Sequence, residues 1–299
     1  MARKYTYTAS IINIRIVDES LRDYVSLMKD ISELKVGVTV RKDTGVAMTY
    51  FKPDELRGTL SKYTQIDLDG PWFNERTFDE AADDDTADIN VPEHLKPNFS
   101  KFAFKVNPEK HLVSFITVAP NGRRLSPLHV KKFFEHIVLR DSITAKFGEI
   151  EVTLVQDAAS VEKFFNGAPL KVLEIIIRRP NDGLSKTFRK KLGDRLVDNN
   201  AKQLTERYVA DRGKALTPTK RTKKLAKLAT TIGEVKATQE INGVPKKFSS
   251  TNFVESESFK FDGEVGDTYA LETLAPSLEE KVELVREEPE VVTGEAIEE

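Results

Sequence analysis

Residues 149–180 read EIEVTLVQDAASVEKFFNGAPLKVLEIIIRRP and contain three elements in succession. Alternating apolar residues predict a strand over 149–155, and residues 158–165, which end at Gly167, predict a short helix. Residues 170–178 predict a second strand, and because that run is rich in β-branched residues we expect it to be buried on both faces. The stretch therefore predicts a strand–helix–strand unit.

Further strands and helices are predicted on both sides of this unit. Asn242-Gly243 is the clearest turn, since Asn-Gly is the strongest short hairpin signal. The predicted strands are residues 4–16, 36–41, 45–51, 58–68, 99–106, 111–118, 234–241 and 244–250, and residues 78–97 are predicted to be a surface loop. Helices are predicted over 18–34, from 126, over 185–211 and over 219–231. The mixture predicts an α+β fold, with mostly antiparallel sheets and packed helices.

The length of 299 residues favours two mixed subdomains and a tail. We predict an N-terminal α+β domain over 1–145 and a C-terminal α+β domain with basic helices over 146–275. Residues 276–299 are acidic; a helix to about residue 287 is compatible with the pattern, and the last dozen residues are expected to be disordered. We expect this tail to bury little, so that deleting everything after Pro276 would leave the fold unchanged.

The formal net charge of −2 hides a strong separation of charge along the chain. Residues 186–247 hold 17 Lys/Arg against 6 Asp/Glu, a local net of +11, whereas residues 67–93 hold 10 acids against Arg76, a net of −9. Residues 279–299 carry a net of −7 from 9 acids and two cations. Such polarised surfaces act on polyanions and on partner proteins, so the sequence supports a binding function.

Residues 186–247, which we call the basic block, are the candidate site, because clustered cations are sufficient for contact with a phosphate backbone. Its aromatic residues are sparse, which favours binding to the duplex backbone of DNA over stacking on single strands. A solvated amphipathic face is the alternative. The candidate DNA-binding residues are Lys186, Arg189, Lys190, Lys191, Lys220, Arg221, Lys223, Lys224, Lys227, Lys246 and Lys247.

The acidic tail suggests regulation of that surface. Because it is on the same chain as the basic block, it would compete with nucleic acid at a high effective concentration. A solubilising tail without contact to the body is the alternative.

Catalytic signatures are not found in the sequence. There are no cysteines, which excludes disulfides, thiolate zinc sites and a Cys nucleophile, and no glycine-rich phosphate loop or nucleophile elbow occurs. We therefore predict a non-enzymatic protein with no cofactor and no metal. A metal-dependent nuclease using Asp67, Asp69 and the acidic loop from Asp83 to Asp88 is the rival hypothesis. A third is a protein–protein adaptor whose basic block docks an acidic partner.

The N-terminus has no signal-peptide pattern, and no apolar run approaches the ~20 residues of a membrane helix. We therefore expect a cytoplasmic protein.

The order of elements resembles the RexA phage-exclusion family of lambdoid prophages. The resemblance covers YTYTASIINIRI near the N-terminus, SKFAFKVNPEKHLVSFITVAPNG, the 149–180 stretch with the basic helix after it, and QLTERYVADRGKALTP. It implies a cytoplasmic, homodimeric, largely sequence-nonspecific DNA-binding protein. The resemblance also implies a role in antiviral defence by abortive infection, in which a membrane-protein partner is triggered to depolarise the cell. It carries over no catalytic residues, and the acidic tail goes beyond the family pattern.

Overall fold

The structure, a computed structural model, describes residues 3–68, 70–87, 89–178, 196 and 198–287. Two antiparallel sheets account for most of the strands, and a small two-stranded hairpin lies apart from them. The strands are β1 (Lys4–Ile16), β2 (Gly37–Arg41), β3 (Thr44–Lys52), β4 (Arg57–Thr64), β5 (Phe73–Asn74), β6 (Asp79–Glu80), β7 (Ser100–Asn107), β8 (Leu112–Val118), β9 (Ile150–Leu154), β10 (Leu170–Arg178), β11 (Gln203–Val209), β12 (Gly233–Ile241), β13 (Val244–Ser249) and β14 (Ser256–Asp262). The helices are α1 (Tyr24–Glu33), α2 (Asp83–Thr86), α3 (Pro127–Ile137), α4 (Asp141–Phe147), α5 (Ala158–Asn166), α6 (Lys220–Ile232) and α7 (Asp267–Glu287).

The first sheet has the order β14-β1-β8-β7-β4-β3-β2, and β9 also pairs with β1. Strand β1 is its long central member: its first half pairs with β14 and its second half with β9, so these two strands lie end to end along one side of β1. Every residue from Ser10 to Ile16 is buried. Since successive side chains of a strand point to opposite faces, both faces of β1 are covered.

Helices cover the two faces of the first sheet. Helix α7 contacts β1, β7, β8 and β14, whereas α3 contacts β1, β2, β3 and β9. Helix α7 is joined to the sheet by the side chains of Leu271, Leu274, Leu278 and Val282, all of which are buried in the first core. At its first turn Arg123 forms a double hydrogen bond with the Asp267 carboxylate at 2.8 and 2.9 Å. The C-terminal helix is therefore an integral part of the first core.

The second sheet has the order β11-β10-β12-β13, and α5 and α6 pack against one of its faces. Leu173, Ile175 and Ile177 of β10 point to these helices and are buried. Val172 and Ile176, on the other face, are only partly buried. Burial of β10 on both faces was therefore a wrong prediction, because the helices of the described residues that contact this sheet pack against one side of it.

Gln156 joins the two sheets. Its backbone N–H donates to Thr230 O at 2.9 Å, and its side-chain amide donates to Gly233 O at 2.7 Å. The Gln156 Oε1 accepts a hydrogen bond from the Ser250 hydroxyl, and the Ser250 oxygen accepts another from Val235 N at 2.8 Å. This buried polar network fixes the end of α6 against the strand that leaves the first sheet.

The α+β class is confirmed, and the structure corrects several finer expectations. A helix over 185–211 is wrong in its second half, where residues 203–209 form β11 because they pair with β10; residues 185–195 lie outside the described part. Strand β14 was not predicted. The two hydrophobic cores also divide the chain differently from a boundary at 145/146, since Val152, Phe261 and Leu278 belong to the first core.

The expectation that residues after Pro276 bury little is wrong for the described part of that segment. Leu278 and Val282 are buried in the first core, and the helix continues to Glu287. Within the described residues, no helix is long and apolar enough to cross a membrane.

Candidate nucleic-acid interface

Helix α6 carries five of the candidate cations on a well-defined helix. Thr219 caps it: the hydroxyl of Thr219 accepts a hydrogen bond from Thr222 N at 3.2 Å, which satisfies one of the free N–H groups of the first turn. Leu225, Ala226 and Ala229 pack into the second core. The side of α6 opposite to these apolar residues faces outward.

That outward side is basic. At about 100° per residue, Lys220, Lys223, Lys224 and Lys227 follow the i, i+3, i+4, i+7 spacing and lie on one face of the helix. Arg221 lies further round and close to Tyr208 of β11, whose pKa is raised mainly by its hydrogen bond to Glu206 and by burial. We call Lys220, Arg221, Lys223, Lys224 and Lys227 the basic face of α6.

Lys223 and Lys227 of the basic face have local partners among the described residues. Lys227 Nζ lies 2.7 Å from Glu162 Oε1 on α5, and this hydrogen bond lowers the pKa of Glu162. Lys223 Nζ lies 5.6 Å from the centre of the Phe165 ring, a cation–π distance. In contrast, Lys220 and Arg221 are exposed and form no ion pair with a described residue. The N-terminal half of the face is therefore the more available half.

Other cations of the basic block are compensated on the second sheet. On its uncovered face Glu174 lies 3.8 Å from Arg207 and 3.6 Å from Lys236, and Lys236 is also 3.6 Å from Glu234. These side chains form cross-strand ion pairs, in which the opposite charges neutralise one another. The local net of +11 in the sequence therefore overstates the free positive charge of the block.

The remaining candidates do not all join the basic face. Lys246 and Lys247 are exposed on the edge strand β13, but adjacent residues of a strand point to opposite faces. Lys246 pairs with buried Gln239, on the side that the helices cover, while Lys247 pairs with Thr238 on the uncovered side. A single surface that includes both lysines and α6 is therefore not formed. Lys186, Arg189, Lys190 and Lys191 lie outside the described residues.

The acidic residues of the nuclease hypothesis are spread along an exposed segment. Asp67 is exposed after β4, and Asp69 and Asp88 lie outside the described residues. Asp85 has a structural role, because its carboxylate accepts hydrogen bonds from Asn74 Nδ2 at 2.9 Å and from Ala82 N at 3.2 Å. In the described part of the chain, no group of three His, Asp or Glu residues is arranged to hold a metal ion.

The acids at the start of the predicted tail are bound to the first sheet. Glu279 accepts a hydrogen bond from Asn107 at 2.6 Å, and Glu283 lies 2.7 Å from Lys110. These two carboxylates are therefore engaged with the first sheet. Competition by the tail for the basic face stays a prediction. Residues 288–299 lie outside the described part.

Sequence reasoning missed the aromatic partners of these charges. Phe165 beside Lys223 and Tyr208 beside Arg221 come from other elements, so only the fold brings them to α6. It also missed the exposed phenylalanines of residues 65–99, although Phe73 and Phe78 next to acidic residues were a visible signal.

The chain was compared with known proteins. No curated protein matches it. A family described as Domain of unknown function (DUF4747) matches residues 5–275, which include both sheets, the basic face of α6 and the first turns of α7. Because this match covers far more than half of the chain, the protein belongs to the DUF4747 family.

Proposed function

We propose that this protein binds the phosphate backbone of duplex DNA, without sequence specificity, through the basic face of α6. The observation that carries the proposal is the exposure of Lys220 and Arg221, without ion pairs to described residues, beside Lys223 and Lys224 on a capped and packed helix. A rigid helix orders these cations in advance, so less conformational entropy is lost when a phosphate is bound.

The dimensions of the face suit a backbone ligand. Lys220 and Lys227 are seven residues apart, which corresponds to about 10 Å along the helix axis. Phosphates of one strand of duplex DNA rise by about 3.4 Å each, so the face spans about three of them. Contacts of this kind fix position without reading bases, and this supports nonspecific binding.

A role in phage exclusion is a further part of the proposal and has narrower support. It depends on the resemblance to the RexA family, which also supports a cytoplasmic homodimer with a membrane-protein partner. The nuclease hypothesis and the adaptor with an acidic partner stay as predictions. Incubation of the protein with plasmid and Mg²⁺ or Mn²⁺ tests the nuclease.

The central experiment is a polarisation titration of the purified chain with a labelled random-sequence duplex at several salt concentrations. With about three phosphate contacts, the slope of log K against log salt should be about −3. The variant Lys220→Ala/Arg221→Ala/Lys224→Ala should bind weakly and lose about one unit of slope for each cation that contacts a phosphate.

The matched control is Lys35→Ala/Lys42→Ala, which removes exposed lysines beside β2, at the far end of the first sheet. It should retain the affinity and slope of the wild type. The proposal is wrong if the wild type fails to bind duplex at low salt, or if the control weakens binding as much as the α6 variant does.

A further inference from the structure

The segment between β4 and β7, residues 65–99, projects from the first sheet on a narrow stem. At the stem, Gln65 N donates to Asp43 O at 3.0 Å and Thr64 N donates to Pro97 O at 2.9 Å. Between residues 66 and 96, the hydrogen bonds of the described residues stay inside the segment, for example Ala81 N to Trp72 O at 2.7 Å. We call residues 65–99 the acidic arm.

The acidic arm exposes an unusual amount of apolar surface. It holds seven of the eighteen exposed large apolar side chains among the described residues, in 35 of the 299 residues of the chain. At its hairpin, Phe73 is 62% exposed and Phe78 is 81% exposed, and their rings meet edge to face with centres 5.9 Å apart. Clustered exposed apolar residues of this kind mark interaction surfaces.

The backbone supports the same interpretation. Phe78 has a φ of 57°, in the left-handed region that non-glycine residues rarely adopt. Strain of this kind persists where it holds a side chain in place, and here it holds an aromatic ring out in solvent. An isolated two-stranded hairpin such as β5–β6 is also only marginally stable by itself. A partner that buried the two rings would stabilise both features.

The carboxylates of the arm are not compensated by ion pairs in the part of the chain that the structure describes. None of its described carboxylates is in an ion pair with a described residue, although the segment 67–93 has a net charge of −9. The arm therefore combines a negative field with exposed aromatic rings. A complementary surface has to offer cations and apolar area together.

The basic face of α6 offers this combination. Lys220 and Arg221 are exposed, and Tyr208 of β11, which is 38% exposed, lies close to Arg221. Lysine and arginine also bind phenylalanine rings through cation–π contacts. Within one chain, the hydrogen bonds of the described residues between 66 and 96 stay inside the arm, so none of them joins the arm to α6.

We propose that the acidic arm is a docking element and that its partner is a second copy of this chain, in which it binds the basic face of α6 through the Phe73–Phe78 pair and its carboxylates. The same contact made in both directions closes a symmetric dimer, whereas contact in one direction extends a chain of copies. Charge complementarity between the two surfaces of one sequence selects a second copy as the occupant.

The test is the oligomeric state of the full-length protein, free of nucleic acid, by light scattering or sedimentation velocity. The experiment compares about 0.1 M and about 1 M salt, between which the Debye length falls from about 10 Å to about 3 Å. We expect association at low salt that weakens at high salt. A monomer at both salt concentrations overturns the proposal, since no second copy then occupies the arm.

A double variant and a matched control test the role of the Phe73 and Phe78 rings in association. Phe73→Ser/Phe78→Ser should reduce association strongly, and because both side chains are exposed the variant should keep the melting temperature of the wild type. The matched control is Leu139→Ser, which removes a large side chain that is 72% exposed outside the arm. Association that survives the double variant, or that is lost equally in the control, contradicts the proposal.

A charge exchange identifies the partner surface. Asp83→Lys/Asp84→Lys and Lys220→Glu/Arg221→Glu should each lower self-association, and glutamate in the first turn of α6 favours the helix through its dipole. Mixed together, the two variants should form a heterodimer, because the lysines in the arm of one variant are complementary to the glutamates on α6 of the other. If the mixture stays monomeric while the wild type associates, the arm does not bind α6. This result would leave the proposal for DNA untouched, since DNA is absent.

Discussion

His111 is a buried histidine among arginines at one end of the first sheet. It lies in the turn before β8, 5.0 Å from the Tyr24 ring, and its pKa is lowered to about 4 by burial and then by Arg22, Arg286 and Arg15. No described residue forms a hydrogen bond with His111 Nδ1. The fold therefore holds this imidazole in its neutral form.

This arrangement predicts a dependence of stability on pH. The unfolded chain binds a proton near pH 6.5 and the folded chain only near pH 4, so the contribution is complete above pH 6.5 and is lost as pH falls towards 4. Between pH 7.5 and 5 the loss should be of the order of 2 kcal/mol. Urea unfolding at pH 7.5 and 5 measures it. His111→Gln should show a smaller difference between the two pH values, and an equal difference would assign the effect to other groups.

Gly233 is required by the close approach of two strands. A Cβ at this position would lie 1.9 Å from the Ile176 carbonyl oxygen of β10, where only backbone could move. Gly233→Ala should therefore reduce the free energy of unfolding by about 3 kcal/mol. Gly266→Ala is the control, because a Cβ there meets no atom within 4 Å. Equal denaturant midpoints for the two variants would refute the packing argument.

At the scale of elements, sequence periodicity predicted the elements whose partners are near in the chain. Strand β1, the strand–helix–strand unit and α6 have apolar residues in the right period, and the five cations of α6 were placed on one helix. Strand β11 was missed because its polar residues are compatible with a helix, and only pairing with β10 makes it a strand. The alternation of Phe259 and Phe261 in β14 was a usable signal that the prediction overlooked.

The acidic arm shows a similar limit for the candidate site. Its composition was correctly interpreted as surface, but whether the charges are paired depends on what the fold places near them. The same applies to Arg207 and Lys236, which count as free cations in the sequence and are paired with Glu174 in the structure. Charge totals therefore predicted the kind of surface and not its extent.

Helix α7 gives a prediction about truncation. A chain that ends after Pro276 loses Leu278 and Val282 from the first core, and each buried side chain of this size contributes about 1.5–3 kcal/mol. We expect it to be insoluble or to melt far below the wild type. A chain that ends after Glu287 keeps both side chains and should melt at a higher temperature than the shorter chain. Thermal unfolding by circular dichroism distinguishes them, and equal melting points would show that α7 is dispensable.

At the scale of the whole molecule, duplex DNA and the acidic arm of a second copy are proposed to bind the same cations of α6. The two ligands therefore cannot occupy this face at the same time. If both hold, duplex DNA should dissociate the self-associated form, and the arm variant Phe73→Ser/Phe78→Ser should bind DNA more tightly than the wild type at equal concentration. Sedimentation of the protein with and without duplex measures the first effect. Stable co-sedimentation of the oligomer with DNA, with unchanged affinity in the arm variant, would show that the surfaces are separate.

The pairing of β1 with β14 also has a consequence for folding during synthesis on the ribosome. Lys4 and Asp262 are partners in the ladder, so the first half of β1 pairs on one side with a segment that is synthesised some 250 residues later. At about 5–20 residues per second, this delay is roughly 12 to 50 seconds. During that time the first half of β1, Lys4 to Ser10, has an open edge, which favours pairing with other nascent chains. The cell's supply of chaperones during synthesis should therefore govern the yield of this protein more than its final stability does.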